Sequence, residues 1–238
     1  MNVFEPLRRI RRHVSGSGFR KILEPWGFDV LSKPARYDMD DKLSKYLLGR
    51  GVFIEAGATD GYYESNTYYL EKFKKWTGVL VEPIPELYEK CARERPNSKV
   101  FNCALVSRDY RGSSVVMKQG YLMSTVKGAL GEGEAEHLQK AAYFHRTNAE
   151  EISVPARTLT SVLKEAGVSN IDFFSLDVEG YERNVLEGLD LSVYRPTYML
   201  IEFLDEDRRK NIENYIMPYY EFVEQLSKRD YLYSVRGK

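Results

Sequence analysis

Four short apolar runs along the chain each end in a carboxylate: Val52 to Ile54 before Glu55, Val79 to Val81 before Glu82, Ile171 to Leu176 before Asp177, and Tyr198 to Ile201 before Glu202. Runs this short, rich in β-branched and aromatic residues and bounded by turn-formers, read as buried strands rather than helices. Between them the apolar spacing changes to that of helices, over 68–75, 86–95, 158–167 and 184–189, with a further helix over 38–48 that starts on acidic residues and another at about 212–228. Val100 to Val106 reads as one more strand and Tyr231 to Val235 as a late one. Strands alternating with helices predict an α/β fold of Rossmann-like type, with a central, mostly parallel sheet flanked by helices. Residues 1–48 read as a helical N-terminal extension and 49–238 as the main domain. Within that domain 107–152, with five glycines and a polar stretch, reads as an insertion serving as a lid or acceptor-binding loop.

The chemistry concentrates at the first strand. Glu55-Ala56-Gly57-Ala58-Thr59-Asp60-Gly61 is a turn with two glycines, expected to open a helix and to bring backbone N–H groups close to a ligand. Glu82 follows 21 positions after Gly61, where a dinucleotide-type β-α-β unit places a carboxylate for two ribose hydroxyls. A pyrophosphate loop needs G-x-G-x-x-G, whereas this one has acidic-x-G-x-x-x-G. A negative charge at Glu55 repels phosphate and suits a ligand carrying an ammonium and a sulfonium, which favours S-adenosylmethionine (SAM) over NAD. In a parallel sheet the ligand lies beyond the strand C-termini, so the acids at 55, 82, 177 and 202 would mark one edge for a cationic ligand.

Composition adds mainly exclusions. Lys and Arg together number 35, as do Asp and Glu, so net charge makes no case for a nucleic-acid partner. No apolar stretch reaches membrane-spanning length and the N-terminus lacks a signal-peptide core, which points to the cytoplasm. Cys91 and Cys103 lack metal-type spacing and read as reduced structural thiols. Residues 1–21 set Arg8, Arg9, Arg11, Arg12, Arg20 and Lys21 among Val3, Phe4, Leu7, Ile10 and Val14. That pattern fits peripheral contact with an anionic membrane or an acidic partner, and, because the apolar face is short, better fits a solvated helix packed on the domain or a mobile arm. The 18 tyrosines suit either a sugar site or ordinary packing. His137 and His145, in the polar insertion, read as solvated surface residues.

Gly57-Ala58-Thr59-Asp60-Gly61 with Ser65-Asn66-Thr67, Trp76 to Pro83, Arg157-Thr158-Leu159, and Ile171-Asp172-Phe173 with Asp177 to Glu182 together resemble the FkbM-type SAM-dependent methyltransferases over about residues 50–204. The resemblance implies a class I methyltransferase fold and O-methylation of a sugar hydroxyl, a glycoconjugate or a related natural product. Thr59 departs from the Asn common in the family. The single late strand leaves the usual final hairpin incomplete, as in a shortened C-terminus.

The candidate cofactor contacts are Glu55, Ala56, Gly57, Asp60, Gly61, Tyr62 and Asn66 from the first loop, Glu82 and Pro83 after the second strand, Ala104 and Leu105 from the third, and Asp177 and Val178 from the fourth. Small residues at Cys103 and Ala104 suit either room for adenine or ordinary core packing. An alcohol needs a base or a metal to give up its proton, and Asp177 and Glu179 are the candidate bases, with Asp177 alternatively holding the SAM amino group. Glu182 reads as either catalytic or a first-turn acid. Asp177 and Glu202 suit Mg2+, which nothing in the spacing requires, so no metal ligands are assigned. Two alternatives stand beside the enzyme: a non-catalytic scaffold on the same fold, and a NAD-dependent sugar oxidoreductase, whose glycine motif is missing.

Overall fold

The computed structural model describes residues 19–29, 32–119, 123–145 and 150–237. Strand β1 (Val52–Ala56) lies in the interior of a seven-stranded sheet, between β2 (Thr77–Val81) and the central β8 (Phe173–Leu176), parallel to both. Beyond β2 lies the edge strand β3 (Lys99–Phe101), and beyond β8 come β9 (Tyr198–Glu202), β11 (Asp230–Val235) and β10 (Tyr220–Gln225). The chain winds outward from β1 in one direction and later resumes on its other side. A crevice therefore opens at the C-terminal ends of β1 and β8, where such sheets bind ligands. This is the class I methyltransferase architecture.

Successive side chains on the central strands point to opposite faces, and both faces are covered. Ile54, Phe174 and Met199 enter one core, with Leu159, Val162 and Leu163 of α6 (Leu159–Ala166), Val185 of α7 (Glu182–Glu187) and Ile212 of α8 (Glu206–Ile216). Phe53, Phe173 and Leu200 enter the other, against Met39 and Leu43 of α2 (Met39–Leu43), Leu70 of α3 (Tyr68–Lys74) and Cys91 of α4 (Pro85–Glu94). Residues 39–47 thus contribute Met39, Leu43 and Leu47 to the same core as the sheet. Helix α6 starts at Thr158, whose side chain accepts from Ser161 N, and ends at Gly167 with φ +67°. That is a hydroxyl N-cap and a left-handed C-cap, on the helix that the sequence places over 158–167.

Two expectations are overturned here. The helix expected over 212–228 ends at Ile216, and Tyr220–Gln225 instead pairs antiparallel with β11. The final hairpin is therefore present, with β11 inserted antiparallel against β9. The strand expected over 100–106 breaks at Asn102, whose Nδ2 donates to Glu82 O and Pro83 O at 2.9 Å each. The chain leaves the main sheet there, and β4 (Ala104–Leu105) joins a second sheet with β7 (Glu151–Arg157), β5 (Ser114–Lys118) and β6 (Thr125–Val126), in the order β4-β7-β5-β6. The insertion is thus largely ordered: β5 and β6, then helix α5 (Glu134–His145).

Candidate active site

The crevice is a cavity of about 800 Å3. Its floor comes from the ends of β1, β2 and β8. Gly57, with φ +85°, sits so close to the next strand that a Cβ would meet Asp177 O at 1.8 Å. Only glycine closes this turn. Gly57 N and Ala58 N both bond to Val81 O, at 3.1 and 3.2 Å, which carries the loop over the end of β2. Thr59 N then reaches Glu82 Oε2 at 2.8 Å, and Ile84 N donates to Glu82 Oε1 at 2.9 Å. Glu82 is buried at the cavity wall with acceptor capacity left on both oxygens, and burial pushes its carboxyl up to about 8. Ala56, Pro83, Ala104, Leu105, Asp177, Val178 and Glu179 also line the cavity, as do Cys103 and Thr59.

Five of the candidate cofactor residues do not. Glu55, expected to face a cationic ligand, is turned into the protein: its Oε2 accepts from Ser65 Oγ at 2.8 Å and Thr67 Oγ1 at 2.7 Å, and its Oε1 from Asn66 N at 2.8 Å. Its charge faces Arg95 Nη1 at 3.5 Å. Asn66 is used within the same knot, its Nδ2 donating to Ser175 Oγ at 3.0 Å. Asp60 folds back on its own loop, accepting from Tyr62 N at 3.0 Å and Tyr63 N at 2.7 Å. Gly61 is required by protein atoms and not by a ligand, since a Cβ there would meet Arg95 Cγ at 2.9 Å and Cys91 Sγ at 3.0 Å. Tyr62 is buried beneath the Arg20 guanidinium, 3.7 Å from its ring centre. The helix expected directly after the loop begins only at Tyr68. The intervening residues are held locally by Asp60 and Ser65 and from outside the segment by Glu55, Arg95 and Ser175.

Where this floor meets the ends of β8 and β9 stands an acid cluster. Asp177 lies beside Glu202, and burial, followed by the charges of Glu202 and Glu179, holds Asp177 well above the usual carboxylate range. Glu179 has φ 52°, in the left-handed region, and Gly180 follows with φ 95°. Burial and then Glu202 push its carboxyl up to about 8, while Arg229 and Arg36 pull the other way. Glu182 points away from the cavity and accepts from Gly180 N at 2.9 Å and Val178 N at 3.3 Å, which makes it a cap of this turn. Among the described residues no group of three or more His, Cys, Asp or Glu is arranged to hold a metal ion.

The rest of the wall was not foreseen. His137, read as a solvated residue, lines the cavity with its Nε2 3.0 Å from Met123 O and 3.8 Å from Glu179 Oε2. The side chain of His145 lies outside the described residues. Arg36, Arg208 and Arg229 reach the cavity from three distant segments. Arg36 lies 3.3 Å from Glu64 and Arg229 3.6 Å from Glu202. Arg208 donates to Gly180 O at 2.8 Å and to Ala129 O at 3.2 Å, and Thr125 Oγ1 donates to Glu179 O at 3.0 Å. The insertion is thereby fastened to the Glu179–Gly180 turn.

With this geometry in hand, one comparison decides the family: the methyltransferase FkbM domain model matches residues 55–234. The chain belongs to the FkbM methyltransferase family. Its cofactor is SAM, and the cavity fits that group, with a buried carboxylate at Glu82 facing open space, a small-residue wall at Cys103 and Ala104, and acids beyond. No curated protein matches the chain. Solved structures similar to it include a fibrillarin/Nop5p complex at 12% identity, covering 85% of this chain and 81% of that one with a TM-score of 0.44. A TehB-like SAM-dependent methyltransferase from Corynebacterium glutamicum is similar at 11% identity, covering 94% and 99% with a TM-score of 0.42. TrmK of M. capricolum, in complex with S-adenosylhomocysteine, is similar at 10% identity, covering 84% and 68% with a TM-score of 0.40. Among the described residues no helix is long and apolar enough to cross a membrane.

Proposed function

We propose that this FkbM methyltransferase methylates a hydroxyl oxygen of a sugar or glycoconjugate, with Glu179 taking the hydroxyl proton. When bound, SAM supplies a methyl group activated by its sulfonium sulfur. The residues of the chain must then place an acceptor oxygen behind that methyl, exclude water and remove one proton. The observation that carries the reading is Glu179 itself. Its carboxyl is pushed up to about 8. It stands on a pinned turn between the donor-side residues Gly57 and Asp177 and the insertion, with His137 3.8 Å away. A base of that strength is matched to neutral pH. Asp177, beside Glu202, orients groups on the donor side, and Glu82 receives the ribose hydroxyls.

The acceptor side of the cavity supports a polyhydroxylated ligand. Arg36, Glu64, Ser124 and Glu136 offer donors and acceptors there, while Tyr63 and Tyr181 offer ring faces. The test is transfer of labelled methyl from SAM to a panel of mono- and oligosaccharides, glycoconjugates, phenols and amines, with and without a chelator. An O-methyl sugar product, lost in Glu179→Gln with SAM affinity retained, is the expected result. Transfer confined to amines or phenols would overturn the substrate class. SAM binding without any transfer would favour a scaffold.

A further inference from the structure

The segment ahead of the domain core is built inside out. Helix α1 (Phe19–Leu23) runs into a single 3-10 turn, Glu24–Trp26, closed by Gly27 in the left-handed conformation. A surface helix ordinarily buries its apolar stripe and shows its charges to water. Here Arg20 and Glu24, one helical turn apart, are the buried residues, at 5% and 6% exposure. Arg20 donates to Tyr68 Oη at 2.5 Å, Glu24 Oε1 at 3.1 Å and Glu94 Oε1 at 2.7 Å, and Glu24 Oε1 also accepts from Ser32 Oγ at 2.8 Å. These contacts bolt the segment to α3 and α4 by its polar face. Three of its apolar side chains face outward: Ile22 is 62% exposed, Trp26 79% and Phe28 61%.

Scattered exposed apolar residues need no explanation, but three within seven positions on one rigid strap form a patch. The sequence ahead of it is one-sided in charge, with Arg8, Arg9, Arg11 and Arg12 against Glu5 alone, while Lys21 beside it is half-exposed and pairs with Glu94 at 2.7 Å. Apolar and aromatic side chains flanked by basic residues suit the headgroup region of an anionic bilayer, where Trp is favoured. A protein partner suits the patch less. Three side chains offer roughly 500 Å2, short of the ~800 Å2 per partner of a stable protein interface.

We propose that Phe19 to Phe28 is a docking strap that seats Ile22, Trp26 and Phe28 in the interface of an anionic phospholipid bilayer, drawn there by the basic sequence before it. The test uses the full chain with vesicles of phosphatidylcholine alone or mixed equally with phosphatidylglycerol. Of the two tryptophans, Trp76 is buried at 2% exposure, so Trp26 reports on the patch. The expected result is co-sedimentation with the anionic vesicles, a blue shift of Trp26 and its quenching by brominated acyl chains. Binding to neutral vesicles, or in about 0.5 M salt, should be weaker by roughly tenfold or more. Trp26→Ser with Phe28→Ser should lower partitioning by at least roughly tenfold while leaving SAM affinity unchanged. No sedimentation with anionic vesicles at low salt, or equal binding by the double variant, would overturn the proposal. So would a lipid-free dimer that already shields Trp26. Quenching in the unaltered protein stands independently of how the variant folds.

Discussion

Arg95 Nη1 lies 3.5 Å from Glu55 Oε2, and both side chains are buried. From the end of α4, Arg95 also donates to Glu71 Oε2 at 2.8 Å, Thr67 Oγ1 at 2.9 Å and Gly61 O at 3.1 Å. One guanidinium thus ties the last turn of a helix to the strand end, the glycine loop and the start of α3. Removing one partner of such a pair strands a buried charge, at a cost of about 3–5 kcal/mol. Arg95→Met should therefore lower the thermal midpoint by several degrees and weaken SAM binding with it. Glu55→Gln, which keeps its acceptor oxygen, should cost less. A stable Arg95→Met protein with unchanged affinity would show that the loop holds its shape without the clamp.

The buried acids set a pH trend opposite to that of a typical salt-bridged protein. Burial raises Glu82 and Glu179 to about 8 from 4.5 and Asp230 to about 6 from 3.8, and it raises Asp177 and Glu182 as well. The folded chain therefore holds more protons than the unfolded chain between about pH 4.5 and 8, and stability falls as pH rises through that window. Glu24 and Glu94, lowered by Tyr68 and Ser32 and by Lys21 and Arg20 respectively despite burial, act below it, where acid removes their contribution. Thermal melts of the cofactor-free protein should peak near pH 5 and decline toward pH 8.5. Glu82→Gln combined with Glu179→Gln should flatten that decline, and a melt that improves steadily to pH 8.5 would contradict the assignment.

Thr59 carries a φ of 49° while its N–H donates to Glu82. A β-branched residue is poorly suited to the left-handed region, which costs an ordinary L-residue about 1–2 kcal/mol, whereas Asn visits it routinely. The Asn common in the family at this position is thus the conformationally easier residue. Thr59→Asn should raise the urea midpoint by an amount worth about 1 kcal/mol and leave the main-chain bond to Glu82 intact. A lower midpoint would mean that the Thr59 hydroxyl contact to Tyr63 O outweighs the backbone cost.

Arg208 holds Gly180 O and Ala129 O together, so it acts on Glu179 through the turn that aims it. Misplacing a catalytic group by about 1 Å costs on the order of a hundredfold in rate. Arg208→Met should reduce turnover on that scale and move the basic limb of the pH profile, with SAM affinity by calorimetry unchanged. Arg208→Lys should restore little, because a single ammonium cannot span both carbonyls with the fork of a guanidinium.

The parts legible in the sequence were those with local signals. The runs that became β1, β2, β8 and β9 are buried on both faces and end in acids, and three of those acids, Glu82, Asp177 and Glu202, do line the cavity. Glu55 carries the same signal, yet its fate is decided by Arg95, 40 positions later, which no local pattern announces. Tyr220–Gln225 was misread because an edge strand half open to solvent loses the unbroken apolar run of its neighbours. Arg36, His137, Arg208 and Arg229 meet at the cavity only through tertiary folding, and each looks like a surface residue in its own segment.

The break at Asn102 has an evolutionary corollary. Because the chain exits there into a separate small sheet, the wall proposed to meet the acceptor hangs on its own strands, while Gly57, Glu82 and Asp177 follow strands of the large sheet. On that proposal, recognition of new acceptors can diverge by exchanging the segment between β4 and β7, provided Cys103, Ala104 and Leu105 of the donor wall are kept. Chimeras grafted at those two strands are the natural route to redirecting the enzyme.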